Sequence, residues 1–129
     1  MADKEPPAFQ LIANKFVEYY YGVFDQNRAD LKVLYREGSM LTFEQVMVGG
    51  VAGIVEKLMN LPFQQVRHEV ITNDAQPSAE DGILVLVTGR LQAEGQDRPF
   101  SFTQSFQLKS EGESWYVLND VFRIIYPAE

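Results

Sequence analysis

The C-terminal stretch 115–126 alternates as a β-strand does, yet it carries apolar side chains on both of its predicted faces. One face carries Trp115, Val117, Val121 and Ile125, and the other carries Tyr116, Leu118, Phe122, Ile124 and Tyr126. A strand that is apolar on both faces is normally covered on both. The fold therefore has to supply one layer on each side of this strand.

Segments with helical spacing come before most of the strand-like segments. Apolar residues from Phe9 to Phe24 recur every three or four positions, which predicts an amphipathic helix. The same spacing predicts a shorter helix over 29–35 and a third over 51–61, ended by Pro62. Strands are predicted over 39–44, 46–48, 66–73, 83–93, 100–109 and 115–126, and the turn-rich stretch 73–78 is predicted to close the third of them.

This order, α-α-β-β-α-β-β-β-β, predicts an α+β fold in which a long curved antiparallel sheet wraps around three helices. Because those helices cover only one face of the sheet, the other face requires a second chain, which predicts a homodimer through the sheet. We interpret residues 1–7 as a flexible leader and residues 8–127 as a single domain. A curved sheet that closes incompletely leaves a mouth, and an apolar mouth is the default binding site.

The composition excludes several classes of protein. The 129 residues include no cysteine, so disulfides and thiolate metal sites are excluded. The net charge of −7 argues against nucleic-acid partners, which need clustered Lys and Arg. No stretch approaches the roughly 18 apolar residues of a membrane span. We therefore expect no nucleic-acid partner, no membrane insertion, no metal and no cofactor.

Three polar residues have alternative interpretations. His68 is the only histidine, which excludes a multi-histidine metal site, and we interpret it as a hydrogen-bonded strand residue. Asp120 and Arg123 are interpreted as a structural polar pair or as solvated edge positions. An enzyme would instead need its acid and base groups, with Asp120, His68 and Tyr20 as candidates, to converge in one pocket.

Several stretches resemble the nuclear transport factor 2 family in a single register from about Phe9 to Tyr126. They are YYYGVFDQNR (19–28), LYREGSMLTFE (34–44), GIVEKLMNLPFQQVRH (53–68), TNDAQP (72–77), FTQSF (102–106) and WYVLNDVFRI (115–124). The resemblance implies a cone-shaped, non-enzymatic homodimer that binds Ran-GDP and the FxFG repeats of nucleoporins. Such a protein imports Ran into the nucleus and occurs in the cytoplasm, in the nucleus and at the nuclear pore.

The resemblance also implies which residues form the Ran-GDP site. The apolar mouth would consist of Phe43, Leu61, Phe63, Val66, Leu91, Ala93 and Phe122. The acidic rim would consist of Glu44, Glu94 and Asp97. The loop 93–99 is one residue longer than in animal forms, so the second acidic position falls on either Gln96 or Asp97, and Arg98 adds a positive charge there.

Two further contacts follow from the resemblance. Phe9 stands where animal members of the family carry a Trp that binds nucleoporins, and Leu86 and Val121 match dimer contacts. The same cone also occurs in ketosteroid isomerases and dehydratases and in scaffold domains of messenger-RNA export and stress-granule proteins. A small-molecule isomerase or dehydratase and a scaffold domain therefore remain the alternative functions.

Overall fold

The structure is a computed structural model that describes residues 5–125. Most of the predicted leader, Tyr126 and the predicted domain end at 127 lie outside the described residues. The helical elements are α1 (Ala8–Gln26), a 3₁₀ helix (Arg28–Leu34), α2 (Val51–Met59) and a short 3₁₀ turn (Ala79–Asp81). The strands are β1 (Tyr35–Phe43), β2 (Val46–Gly49), β3 (Val66–Ser78), β4 (Gly82–Ala93), β5 (Phe100–Glu111) and β6 (Ser114–Ile125).

The strands form one open sheet in the order β2-β1-β6-β5-β4-β3, and the helices precede or interrupt it as predicted. The prediction of an antiparallel sheet is wrong at one place, because β1 and β6 pair in parallel while the other pairs are antiparallel. Alternating side chains reveal a strand but not its direction, so this mixed sheet was not visible in the pattern.

Helix α1 lies against the inner face of the sheet and supplies much of the core. Its periodic apolar positions are buried, among them Ala13, Phe16, Val17, Tyr20, Tyr21 and Phe24. The Phe16 and Tyr20 rings pack edge-on against Phe106 of β5, with ring centroids 5.1 and 4.9 Å apart. None of the described helices is long and apolar enough to span a membrane.

The second predicted helix is tighter than the spacing indicated, and it begins and ends one residue earlier. It is a 3₁₀ helix over Arg28–Leu34, and Tyr35 already belongs to β1, which begins four residues before the predicted start at Ser39. Three residues per turn place Leu31 and Leu34 on one side, where both are buried. The third helix ends at Met59 rather than Leu61, and the Asn60 backbone N–H bonds to carbonyls of Glu56 and Lys57.

The predicted turn at 73–78 is wrong, because β3 continues through it to Ser78. Strand β3 is an edge strand, so Pro77 can pair with Ile83 without breaking an inner ladder. The Gln10 side chain of α1 also holds this part of β3, since its amide donates to the Asn73 carbonyl and its oxygen accepts from the Ala75 N–H.

The predicted faces of β6 are wrong because of a β-bulge at Leu118. Val117 pairs with Leu108 and Asn119 pairs with Gln107, which leaves Leu118 as an extra residue. The bulge reverses the alternation, so Val117 and Phe122 are both buried although they were assigned to opposite faces. Val121 shifts to the outer face, where it is 47% exposed.

The outer face of the sheet carries the two predicted dimer contacts in one row. Leu86 pairs with Ser105, Ser105 with Val121, and Val121 with Thr42, so these four residues cross the sheet side by side. Leu86 and Val121 are about half exposed in the single chain. The row is therefore accessible to a partner, and the dimer itself stays a prediction.

Candidate functional site

The seven apolar residues predicted for the mouth all belong to the hydrophobic core or pack against it, and we call these seven the mouth cluster. They arrive from β1, β3, β4, β6 and the segment 60–65, and they are Phe43, Leu61, Phe63, Val66, Leu91, Ala93 and Phe122. The rings of Phe43 and Phe122 stack at 4.5 Å with an angle of 5° between their planes. Val66 faces Ala93 directly across the β3–β4 ladder.

The mouth cluster is closed rather than open. Phe43, the most accessible of its buried members, is only 8% exposed, and Phe122 is 2% exposed. Phe63 is the exception, because it is half-buried and packs on the cluster from the segment 60–65. An aromatic side chain that docks here meets Phe63 first, because Phe63 is the accessible member, and the segment 60–65 that carries it forms neither helix nor strand.

Glu44 lies at the edge of the mouth cluster in a strained turn. It follows Phe43 directly, and its backbone N–H donates to the Phe122 carbonyl at 3.1 Å. Glu44 and Gln45 have φ values of 50° and 80°, so two residues that are not glycine occupy the left-handed region between β1 and β2. The Glu44 carboxylate accepts the Ile124 backbone N–H at 2.6 Å, which fixes the acid against the end of β6. Strain of this kind is often retained where it serves a site.

The second part of the predicted rim lies on the loop between β4 and β5. Glu94 is exposed, and its backbone N–H donates to the Gln65 carbonyl at 2.9 Å, which ties this loop to the segment 60–65. Gln96 and Asp97 are both exposed. The structure therefore leaves both as candidates for the second acidic position, with Arg98 exposed beside them.

Phe9, the predicted nucleoporin contact, lies far from the mouth cluster. It is in the first turn of α1, half-buried against the core, beside the Gln10 contacts to β3. Phe24, at the other end of α1, packs against His68, whose strand neighbour Leu91 belongs to the mouth cluster. At 1.5 Å per residue, Phe9 and Phe24 are about 22 Å apart along the helix. The two predicted contacts are therefore separate sites.

A second group of functional residue types is buried deeper on the inner face, and we call it the polar network. The Asp120 carboxylate accepts hydrogen bonds from the Tyr35 hydroxyl at 2.7 Å, the Tyr20 hydroxyl at 3.3 Å and the Gln104 amide at 2.7 Å. The Tyr20 and Tyr35 hydroxyls are 2.8 Å apart, and the Tyr21 hydroxyl donates to the Gln104 oxygen. Asp120 is 1% exposed.

Burial dominates the electrostatics of the polar network. It raises the pKa of Asp120 to about 6, although the hydrogen bonds from Gln104, Tyr35 and Tyr20 act in the opposite direction. Burial, with the charge of Asp120 as the next cause, raises the pKa of both Tyr20 and Tyr35 well above the usual value. The two tyrosine hydroxyls are therefore weak acids that do not give up their protons at neutral pH. The carboxylate that they contact is held away from solvent.

Sequence reasoning recognised parts of this arrangement and missed others. His68 is a hydrogen-bonded strand residue as predicted, because its backbone N–H and its Nδ1 both bond to the Asp25 carboxylate, at 2.8 and 2.6 Å. The interpretation of Asp120 and Arg123 as a pair or as edge positions is wrong for Asp120, which is buried, while Arg123 is exposed on the outer face. Gln104, a polar residue on an otherwise apolar face of β5, was the available signal for the network.

The polar network meets only half of what an isomerase or dehydratase needs. A carboxylate and two tyrosine hydroxyls do converge, but His68 bonds to Asp25 instead of joining them. The carboxylate and both hydroxyls are satisfied by one another inside the core. Within residues 5–125, no three acidic, cysteine or histidine side chains are close enough to hold a metal ion.

Comparison with known proteins gives consistent matches. Residues 12–124 match the family model described as the nuclear transport factor 2 (NTF2) domain. Nuclear transport factor 2 of Emericella nidulans is 59% identical over 122 residues, covering 93% of this chain and 98% of that protein. Nuclear transport factor 2 of Saccharomyces cerevisiae is 46% identical over 121 residues, covering 93% of this chain and 97% of that protein.

The solved structures agree. Nuclear transport factor 2 from Cryptosporidium parvum superposes with a TM-score of 0.87 at 38% identity, covering 95% of this chain and 98% of that one. A chain of the Candida albicans Mtr2–Mex67 M domain complex gives a TM-score of 0.75 at 19% identity, covering 88% of this chain and 93% of that one, which shows the fold alone.

Proposed function

The chain belongs to the nuclear transport factor 2 family, and on that premise we propose that it is a carrier that binds Ran-GDP and FxFG nucleoporins. In this proposal it imports Ran into the nucleus, concentrates at the nuclear pore and catalyses no reaction. The relatives that support the proposal are named as transport factors rather than as enzymes.

One observation supports the Ran-GDP site more than any other. The residues that the family resemblance assigns to it come from five separate parts of the chain and all belong to the core or pack on it, with Phe43 beside Phe122 and Val66 beside Ala93 in the sheet. The acids are attached to the same place by backbone hydrogen bonds, Glu44 to the Phe122 carbonyl and Glu94 to the Gln65 carbonyl. An apolar cluster flanked by fixed acids suits an aromatic anchor with basic neighbours.

The energetics fit a selective carrier. An aromatic side chain that is buried in an apolar pocket can supply about 2 kcal/mol or more of binding free energy. Pairs between Glu44 or Glu94 and basic residues of Ran would fix the register of the complex, because charge complementarity mainly supplies specificity and association rate. If GTP rearranges the anchor and its basic neighbours, the same surface no longer fits, which gives selectivity for the GDP form.

Nucleoporin binding needs a different kind of contact, because a carrier has to release each repeat quickly. Phe9 offers a single half-buried ring at the start of α1, about 22 Å along the helix from the end near the mouth cluster. One aromatic contact is weak, and two copies in a dimer would add modest avidity. The separation of the two sites lets the carrier hold Ran and nucleoporin together.

Self-association through the outer sheet face is part of the proposal. Leu86 and Val121 are about half exposed in one row, and neighbouring Leu84 and Met40 are also exposed. We expect Val121→Glu to give monomers or aggregate, because the new carboxylate would be buried between two sheets. Light scattering or sedimentation measures this, and a stable Val121→Glu dimer would place the interface elsewhere.

Two alternatives remain. A small-molecule enzyme is favoured by the convergence of Asp120, Tyr20 and Tyr35, and is opposed by the burial of all three. A scaffold domain is consistent with the likeness to a chain of the Mtr2–Mex67 complex, which supports only the capacity of this fold to bind proteins. Neither alternative uses the acids at the edge of the mouth cluster.

A pull-down with Ran loaded with GDP or GTP tests the proposal. The immobilised chain should retain Ran-GDP and leave Ran-GTP in solution, and an FxFG peptide should bind without displacing Ran-GDP. The Phe9→Ala variant serves as an internal control, because it should weaken FxFG binding and retain Ran-GDP. Failure of the wild-type chain to retain Ran-GDP would reject the carrier function, and equal loss of both ligands by Phe9→Ala would indicate misfolding.

A further inference from the structure

Arg28 contacts the segment 60–65, which contributes Leu61 and Phe63 to the mouth cluster. It is the first residue of the 3₁₀ helix, well away from that segment in sequence. Its Nη1 donates to the Leu58 carbonyl at 3.0 Å and to the Phe63 carbonyl at 3.4 Å, and its Nη2 donates to the Gln64 carbonyl at 3.0 Å. One guanidinium therefore joins the end of α2 to the segment that follows it.

The same guanidinium also lies over aromatic rings. Its central carbon is 4.9 Å from the ring centroid of Phe24 and 5.8 Å from that of Phe63. Both distances are within the range of a cation–π contact. Arg28 thus holds Phe63 by its backbone carbonyl and by its ring, against a helix that is part of the core.

Glu94, a residue of the predicted rim, fixes the other end of the segment 60–65. The Gln65 carbonyl accepts the Glu94 N–H, and Val66 begins the β3 ladder against Ala93. Between Asn60 and Gln65 the backbone makes no helix or strand, so its side-chain contacts decide where Phe63 lies. Arg28 is the charged side chain that makes several of those contacts.

The position of Arg28 also carries a cost in free energy. The Arg28 Nε is buried without a hydrogen-bond partner in the described part of the chain, and an unsatisfied donor costs free energy. Burial also lowers the pKa of Arg28, with the nearby Asp25 carboxylate acting in the opposite direction.

We propose that Arg28 is a positioning residue for the mouth cluster: it holds the segment 60–65 so that Phe63 forms one wall of the site for the partner's aromatic anchor. This inference rests on the Ran-GDP site proposed above. Arg28 itself need not touch Ran. Its loss leaves Phe63 attached at one end only, so the bound anchor is released faster.

The test compares Arg28→Ala and Arg28→Lys with a matched control. Arg36→Ala is that control, because Arg36 also lies 4.9 Å over an aromatic ring, that of Tyr116, and also donates to backbone carbonyls, but of Val33 and Tyr35. Lysine keeps the charge and loses the planar fork, so it should not replace arginine here. All variants are checked for folding by circular dichroism and measured at low temperature, well below their unfolding midpoints.

Surface plasmon resonance with Ran-GDP should show about tenfold weaker binding for both Arg28 variants, mainly through faster dissociation. Arg36→Ala should stay within twofold of the wild type, and FxFG binding should be unchanged in all of them. The proposal is overturned if the Arg28 variants bind Ran-GDP within twofold of the wild type. An equal loss for Arg36→Ala would also overturn it, since the effect would then be general destabilisation.

Hydrogen exchange of the free protein separates this inference from the carrier proposal. Peptides covering 58–66 should exchange at least several-fold faster in Arg28→Ala and Arg28→Lys, while peptides from β5 should not change. Unchanged exchange in 58–66 would show that Arg28 does not hold the segment. If the wild-type chain failed to bind Ran-GDP, the carrier function would be rejected, and the exchange data would still decide whether the segment is held.

Discussion

The mouth cluster and the polar network occupy the same inner face of the sheet, and β6 contributes to both through residues two positions apart. Phe122 stacks on Phe43 and accepts the Glu44 backbone N–H, while Glu94 is bonded to Gln65 at the segment 60–65. Asp120 instead lies in the core with its oxygens accepting hydrogen bonds from Tyr20, Tyr35 and Gln104. The mouth cluster borders acids at the edge of the fold, whereas the groups of the polar network hydrogen-bond to one another in the core.

Under the proposed function, this difference separates binding from stability within one strand. The polar network has no group left over for a partner, so its contribution has to appear in the free energy of unfolding. The mouth cluster includes half-buried Phe63 and is flanked by exposed Glu94 and a strained turn at Glu44, features that fit the proposed binding site. Changes in one region should therefore leave the property of the other region almost unaltered.

The largest expected effect is on binding, for Glu44→Lys. Reversing the charge should weaken Ran-GDP binding at least 100-fold, about 2.7 kcal/mol, because a basic partner surface would then meet a lysine. Stability should fall by only about 1 kcal/mol, since the Ile124 N–H loses its acceptor near solvent. Isothermal titration calorimetry measures the first quantity and urea unfolding the second.

Glu44→Gln is the matched control for this prediction. Glutamine keeps an oxygen that can accept from the Ile124 N–H but has no charge, so the turn should be preserved while binding weakens about tenfold. Unchanged affinity of Glu44→Lys would remove Glu44 from the site. A collapse of stability in both variants would show that Glu44 belongs to the fold rather than to the rim.

Tyr35→Phe in the polar network should have the opposite pattern of effects, with a loss of stability and almost no change in binding. Loss of the hydroxyl removes its 2.7 Å bond to Asp120 and its contact with the Tyr20 hydroxyl. The free energy of unfolding should fall by about 2–3 kcal/mol, because a buried carboxylate loses a donor. Affinity for Ran-GDP should remain within twofold of the wild type. A tenfold loss of affinity without loss of stability would break the comparison.

A smaller effect is expected from the pH dependence of Asp120. Its pKa is about 6 in the folded protein and 3.8 as the reference, so the folded state holds the proton more tightly. This contribution to stability is fully present below the reference pKa and is lost as the pH rises through 6. Between pH 7.5 and 5.0, which stays above the sequence pI of 4.7, the wild type should gain about 1 kcal/mol from this group.

Asp120→Asn isolates that contribution. The Gln104 amide can reverse, so that its oxygen accepts from the introduced asparagine amide and its nitrogen donates to the Tyr21 oxygen, and the network can keep its hydrogen bonds. Urea unfolding at the two pH values should show the wild type gaining on the variant as the pH falls. A stability difference that does not depend on pH would show that Asp120 does not titrate in this range.

The periodicity of apolar residues was sufficient to predict the helices and strands that bury one face. It predicted α1 and the long strands, because the apolar positions that repeat at 3.6 or at 2 are the ones that pack. It failed where backbone hydrogen bonding decides: at the 3₁₀ helix ending in Leu34, at the bulge of Leu118 and at the extension of β3 to Ser78. The parallel pairing of β1 with β6 depends on connections across the whole chain.

The residues of the candidate site likewise divide into those that could be found from sequence and those that could not. Five of the seven members of the mouth cluster lie in stretches that resemble the family and the two in β4 follow from the same register, so the grouping could be stated from sequence; its closed state could not, and its role stays a proposal. Only two members of the polar network were named from sequence, as possible enzyme groups, and the rest of the network and Arg28 were missed, since each joins residues that are far apart in sequence. Asp120 meets Tyr20 across α1 and β6, and Arg28 meets Phe63 through backbone carbonyls, which no side-chain pattern encodes.

The most direct test of the binding site is an amide NMR footprint of the isotopically labelled chain titrated with unlabelled Ran-GDP. Signals from 43–45, 61–66 and 91–97 should shift or broaden, signals from 9–14 and from 33–36 should not, and Ran-GTP should leave all of them unchanged. A footprint confined to the start of α1 or to residues 33–36, with the segment 61–66 unaffected, would contradict the assignment of the mouth cluster as the Ran-GDP site.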